Sequence, residues 1–394
     1  MKCRACNGNS LFTGIDLGDL PIAGAFLKSA DESYNIYETK MLVCKDCGLG
    51  QISVDLPPED LYSTYNWRTS TSKSYVKYAH AFADENIIPN VGKDEWVLEI
   101  ASNDGYLLRY LKSNGIDVLG VDPAKNISMY AICDGVPVIT DFFNADVARK
   151  ILELKGYPKW IVANNVMAHT PDIQSFMEGI AILSDRDTIV TIENPTIMNI
   201  MEKDHFDVIF HEHYSYLSAL SVSKLASKNL MNLFKLDWVD AQGGSNRYWL
   251  SKSEQPQVHV SDKIREEISS GLTSEYAWSI SQYRIAAKVD RFQNKVRDLY
   301  LSGSTICGFA ASAKSTVTLN FADIRPGHIE SIADDVKEKQ GHIVPGSMIP
   351  IESTADMIAR NPDDIIVFSW NIYEEILNKI REAGSNARVW VWSN

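Results

Sequence analysis

Three short stretches of this chain concentrate side chains that can do chemistry. The first is a pair of C-x-x-C motifs, Cys3/Cys6 and Cys44/Cys47. The second is the run from Glu99 to Gly105, and the third is His211-Glu212-His213 inside the polar and aromatic segment from Phe206 to Tyr216. Two C-x-x-C knuckles place four thiolates in a tetrahedron around Zn²⁺, which leaves no open position for water or substrate. The expected ion is therefore structural, one per chain, on Cys3, Cys6, Cys44 and Cys47. Thirty-seven residues separate the knuckles, so the ribbon must hold strands of its own. Cys133 and Cys307 stand alone in apolar contexts and are expected to be buried as small hydrophobes.

The Glu99–Gly105 run sits between an apolar stretch, 96–102, and a helical one, 106–112. Small residues there let backbone approach a ligand, and a helix start offers free N–H groups. The next apolar stretch ends at Asp122, where a carboxylate about twenty residues on can hydrogen-bond ribose hydroxyls. Asp141 and Phe142 can flank an adenine, and Asn164 and Asn165 close a fourth apolar stretch. The G-x-G-x-x-G of a dinucleotide site is absent. S-adenosylmethionine (SAM) is the expected cofactor, on Glu99, Ala101, Asn103, Gly105, Asp122, Asp141, Phe142 and Asn164.

The His-Glu-His cluster has no evident third metal ligand and no H-E-x-x-H spacing. Histidines that pack or cap are one reading of it. Acid–base chemistry is another, since histidine accepts protons near neutral pH and a neighbouring carboxylate can raise its basicity. His169, five residues past Asn164, is a second candidate base.

The elements that must position these groups alternate between strand-like and helical patterns. Strands are expected at 96–102, 117–123, 136–143, 160–166 and 187–195, and a strand pair around Gly243-Gly244. A helix carrying Ile285, Val289, Phe292, Val296 and Leu299 leads to further strands at 305–312, 328–335, 363–370 and 387–393. The fold class is thus α/β, with an N-terminal zinc ribbon (1–60) and connector helices plus a central Rossmann-like SAM methyltransferase domain (61–255). A C-terminal doubly wound α/β domain (256–394) completes it. A helix start is expected at Pro57–Asp60. The 394 residues are 45% apolar and 23% charged with net charge −13, which disfavours a nucleic-acid partner. No apolar run is long enough to span a membrane. The first ten residues hold no signal-peptide core, so a cytoplasmic protein is expected, and nothing in the pattern calls for more than a monomer.

Taken together these motifs resemble the sugar C-methyltransferases that act on nucleotide-linked keto sugars in deoxysugar biosynthesis. The resemblance covers nearly the whole chain. It includes the ribbon, the Glu99–Gly105 loop, Asn164–His169 followed by Asp172, the His-Glu-His segment and the turn 243–247. It continues through Ala310–Lys314, His342–Gly346 and Trp370-Asn371. It implies an enzyme that deprotonates the carbon beside the ketone of a 4-keto-deoxysugar and methylates it, at carbon 3. The residue matching His213 would be the base, supported by Glu212, with Asn165, His169 and Tyr65 on the sugar or the enolate oxygen. Arg247 and Lys314 would meet the diphosphate of the nucleotide-linked keto sugar, with Ser245 and Asn371 nearby. The family often has tyrosine where this chain has Phe210. The alternatives are an O- or N-methyltransferase acting on another small molecule, and a non-catalytic zinc-ribbon binding module.

Overall fold

The computed structural model describes residues 1–58, 61 and 68–393. The expected helix start at Pro57–Asp60 and the candidate Tyr65 therefore lie wholly or partly outside the described residues.

Strands β1 (Leu11–Pro21), β2 (Ile36–Cys44) and β3 (Gly50–Ile52) form an antiparallel ribbon. Cys44 ends β2, and the turn to β3 carries Cys47 and Gly48, whose φ of +68° suits glycine. Five strands, β4 (Trp96–Ile100), β5 (Asp117–Val121), β6 (Val138–Ile139), β7 (Trp160–Asn164) and β8 (Ile189–Pro195), make the parallel part of a central sheet. Next, β9 (Ser215–Tyr216) leaves this sheet and pairs with β3 of the ribbon. The strands β10 (Asn232–Val239) and β11 (Ser245–Ser251) then close the central sheet as an antiparallel hairpin, giving the order β10-β11-β8-β7-β4-β5-β6.

A 27-residue helix, Glu275–Leu301, follows. It buries Ile285, Val289, Phe292 and Val296, as the three-and-four spacing predicts. Strands β12 (Ile306–Phe309), β13 (Ile332–Ala333), β14 (Ile351–Glu352), β15 (Asp364–Val367) and β16 (Arg388–Val391) form a second, wholly parallel sheet in the order β14-β13-β12-β15-β16. The strand expected at 328–335 shrinks to two residues, because Pro326 and Ile329 close a bridged turn around Gly327 at φ +97°. Among the described residues no helix is long and apolar enough to cross a membrane.

One apolar core runs through all three parts. Phe12 and Ile15 of β1 share it with Ile197 and Ile200, with Ile285 and Val289, and with Ile306 and Ile332. Burying side chains of this size stabilises by about 1.5–3 kcal/mol each, so the parts are held together by the same force that folds each one. Strand order reverses between β4 and β7 in the first sheet and between β12 and β15 in the second. Ligands of open α/β sheets bind outside the carboxyl ends of strands at such points.

Candidate active site

A cavity of about 870 Å³ opens at the carboxyl ends of β4, β5, β7 and β8. It reaches across to the helix Ala313–Phe321 of the C-terminal part. At one end lies the turn after β4. Ala101, Asn103 and Gly105 all take left-handed backbone, at φ 58°, 50° and 76°. A Cβ on Gly105 would stand 2.6 Å from the Cβ of Ala131, so glycine is required there. This winding aims the Asn103 N–H at Asp122 Oδ2 (2.8 Å), while the Ala124 N–H reaches Oδ1 (2.9 Å). Burial pushes the Asp122 carboxyl up, and those two N–H groups work against it. Asp141 holds the Phe142 N–H at 2.8 Å, and both line the cavity together with Ala101, Asn103, Asp122 and Asn164. Glu99 and Gly105 do not line it. Glu99 is buried behind the turn, and burial raises its carboxyl well above the usual range.

Whether these residues suit SAM can be tested on their unmet bonds. Asn165 and Asn194 line the cavity, and each holds a buried side-chain oxygen without a hydrogen-bond partner among the described residues. A ligand rich in donors, such as the ammonium and ribose hydroxyls of SAM, matches such acceptors. The site fits this cofactor.

At the other end stand two histidines. His169 Nδ1 lies 2.9 Å from the Glu212 carbonyl, and His213 Nδ1 lies 2.8 Å from the Val208 carbonyl. A carbonyl only accepts, so Nδ1 carries the proton in both rings and Nε2 keeps its lone pair. The rings are edge to face with centroids 4.7 Å apart, and both line the cavity. Burial holds the His169 pKa down at about 4 and takes His213 well below its ordinary value, with His169 and Lys314 adding to the effect on His213. Both rings are neutral at neutral pH.

The expected partnership of Glu212 with His213 is not what the structure places there. His213 is oriented by a backbone carbonyl, and the Glu212 carboxylate accepts the Gly24 N–H at 3.0 Å. Gly24 belongs to the connection between β1 and β2, so the ribbon reaches into the site. Burial raises the Glu212 pKa. His211 turns the opposite way, to Thr39 Oγ1 at 3.1 Å, and does not line the cavity. Among the described residues, the one group of three or more side chains able to hold a metal is Cys3, Cys6, Cys44 and Cys47.

Of the expected substrate contacts, Lys314 lines the cavity. It lies in the first turn of a helix capped reciprocally by Ser312 and Ser315. Arg247 and Ser245 do not line it. Arg247 lies opposite Glu193 in the β11–β8 register, bonds its carboxylate at 2.8 Å and stacks over Phe82 at 3.8 Å. Ser245 Oγ donates to the Ala241 carbonyl at 2.9 Å and closes the hairpin turn. Asn371 stands behind the wall, 3.4 Å from Gln242, which does line it. Asn165 donates to the Tyr75 hydroxyl at 3.1 Å. Tyr75, Asn194, Val208 and Gln242 are cavity residues that the sequence reading passed over. Asn194 could have been found from its place at the carboxyl end of a strand; the others carry no local signal.

The four cysteine sulfurs lie within 4.8 Å of one another, with Cys3–Cys47 at 3.5 Å and Cys6–Cys44 at 3.6 Å. A tetrahedron with Zn–S near 2.3 Å has edges of about 3.8 Å, so the site fits zinc. Cys307 is buried as expected. Cys133 is exposed, at the end of the helix Lys125–Cys133 on its solvent side.

Comparison with known proteins follows the same division. Residues 3–62 match a zinc binding domain family, 75–229 a methyltransferase domain family, and 240–393 the family described as C-methyltransferase C-terminal domain. With the cavity and its cofactor-type turn, these define a SAM-dependent methyltransferase that carries a four-cysteine zinc-binding site. More particularly, the chain is similar to C-methyltransferase NovU of Streptomyces niveus. The two are 27% identical over 97% of this chain and 92% of that one. Solved structures overlap a smaller share. Magnesium protoporphyrin IX methyltransferase from Synechocystis PCC 6803 with bound SAH is 15% identical over 46% of this chain and 83% of its own, at a TM-score of 0.35. A SAM-dependent methyltransferase from Archaeoglobus fulgidus is 15% identical over 41% and 72%, also at 0.35.

Proposed function

We propose that this methyltransferase acts on a nucleotide-diphosphate-linked 4-keto-deoxysugar, removing the proton from carbon 3 and placing a methyl group there. The observation that carries the reading is His213, whose Nδ1 is tied to the Val208 carbonyl so that Nε2 is its basic nitrogen, in a cavity that it lines beside His169. A ketone acidifies the hydrogen on the neighbouring carbon. His213 Nε2 takes that proton, the C–H electron pair becomes the C=C bond, and the carbonyl oxygen becomes the enolate oxygen. Burial opposes a charged imidazolium at this position. The enolate formed in the same step supplies the counter-charge, so the ion pair forms together or not at all.

His169 and Asn165 are the proposed partners of the sugar and the enolate oxygen, with Tyr65 a further one from the family resemblance. Glu212 holds the ribbon's Gly24 against the site, and its backbone carbonyl fixes the His169 tautomer. Lys314 is the proposed diphosphate contact, aided by the free N–H groups of its helix start. Ala101, Asn103, Asp122, Asp141, Phe142 and Asn164 would hold SAM, which when bound supplies an electrophilic methyl group. Cavity walls drawn from all three parts keep water from a basic enolate.

The test is incubation with labelled SAM and a set of nucleotide-linked 4-keto sugars, followed by mass and NMR analysis. A carbon-bound methyl at carbon 3 is expected. Label on oxygen or nitrogen would overturn the reading in favour of O- or N-methylation.

A further inference from the structure

Asp207 is fully buried in the short turn Phe206–Val208, between the cavity and the C-terminal sheet. Its Oδ2 accepts the indole N–H of Trp370 at 2.7 Å, and its Oδ1 has no hydrogen-bond partner among the described residues. Burial pushes this carboxyl up to about 6, against the pull of Lys314 and the Trp370 bond, with Lys288 and the Trp392 indole adding to that pull. The Trp370 indole bond is the hydrogen bond of ordinary length that this buried carboxylate accepts among the described residues, and removing it leaves the charge less well satisfied.

Trp370 comes from the other side of the molecule, just past the carboxyl end of β15. Its ring fills a slot in the methyltransferase part. One wall is His205, with ring centroids 4.0 Å apart. Another is Gly243 in the hairpin turn, where an added Cβ would stand 2.3 Å from the indole. The slot accepts this indole only because that position is glycine.

The residue after Asp207 is Val208, whose carbonyl accepts the hydrogen bond from His213 Nδ1–H. One turn of chain therefore grips the C-terminal part by a side chain and the proposed base by a backbone oxygen. We infer that Asp207 and Trp370 are positioning residues that couple the seating of the C-terminal domain to the tautomer and aim of His213. When the indole is seated, the turn is tethered from both sides and the Val208 carbonyl faces Nδ1. When the indole is withdrawn, the turn loses its outer anchor and the ring can carry its proton on Nε2, where it cannot act as a base. The inference rests on His213 being that base.

The test is methyl-transfer kinetics on full-length variants, with melting temperature measured alongside. Trp370→Phe keeps an aromatic ring in the slot and removes the donor. Its kcat should fall by about 10- to 100-fold, the range a misplaced catalytic group costs. Its KM for the nucleotide sugar should stay within about threefold, because ground-state binding is not what was lost. Asp207→Asn still offers an oxygen to the indole and should keep kcat within about fivefold, while Asp207→Ala should fall with Trp370→Phe. The double variant Trp370→Phe/Asp207→Ala should be no slower than the slower single variant, as two residues acting through one bond require. Full kcat in Trp370→Phe, or Asp207→Asn as slow as Asp207→Ala, would overturn the coupling. His213→Ala in the same series tells the two failures apart: turnover retained there means the base assignment has failed, and this inference with it.

Discussion

The four cysteines of the ribbon and the two histidines of the cleft are groups of the same chemical grade, each able to bind a cation or a proton, yet the fold uses them in opposite ways. In the ribbon every sulfur faces the other three within 4.8 Å, so all the ligating capacity is spent inward. In the cleft each ring spends one nitrogen on a backbone carbonyl, and His213 keeps Nε2 as its basic nitrogen in a residue that lines the cavity. A closed shell can position; only an open lone pair can react. The two regions are also joined. β3 starts three residues past Cys47 and pairs with β9, which starts two residues past His213. The ribbon's Gly24 meets Glu212. The zinc site thus reaches the chemistry through strand pairing and a loop, not through the ion.

Breaking the open side should have the largest effect. His213→Ala should lower methyl transfer by about 10³-fold, within the usual range for a general base. SAM affinity by calorimetry should shift no more than about threefold, since the cofactor end of the cavity is built from other strands. Breaking the closed side comes next. Cys47→Ser should drop bound zinc well below one per chain by metal analysis and unfold the ribbon. It should also slow methyl transfer by about 10- to 100-fold, because β3 no longer holds β9. Zinc-free protein with full activity would separate the two regions that the structure joins.

Smaller effects sharpen the map of the cleft. Lys314→Ala should raise KM for the nucleotide sugar by about tenfold, the loss of one charge-assisted bond. Arg247→Lys should leave KM unchanged and lower the melting temperature, since a single ammonium cannot both bond Glu193 and stack over Phe82. The pH profile is the finest probe. Burial holds His213 well below its ordinary value, so the neutral, accepting form persists as pH falls through 6.5. The acid limb of kcat/KM should therefore lie well below the position near 6.5 at which an exposed imidazole would place it. For His169, an NMR titration should give a pKa of about 4.

Much of this was readable in the residues and some was not, for physical reasons. The C-x-x-C pairs, the turn after β4 and Asp122 are local signals, because knuckles and strand-to-helix turns are made by neighbours in sequence. The place of Arg247 is not legible locally, because an arginine's partner depends on strand register. Only the β11–β8 pairing sets it opposite Glu193 and takes it away from the cavity. His211 and His213 look equivalent on paper, yet adjacent odd positions diverge once the chain bends, and His211 ends against Thr39. Adjacency in sequence pairs Glu212 with His213, yet its carboxylate accepts the N–H of Gly24, 188 residues away. Asp207 and Trp370 are 163 residues apart, and no single sequence reveals such a contact. Cys133 reads as apolar core, yet the helix ends with that face in solvent.

The central claim is that His213 takes a proton from carbon before any methyl moves, and solvent exchange tests it most directly. A nucleotide-linked 4-keto-deoxysugar would be incubated with the protein in D₂O without SAM, and the carbon-3 hydrogen followed by NMR. The account predicts deuterium wash-in with the unaltered protein and none above background with His213→Ala. Equal wash-in by both, or none by a protein that still methylates carbon 3 of that sugar, would contradict it.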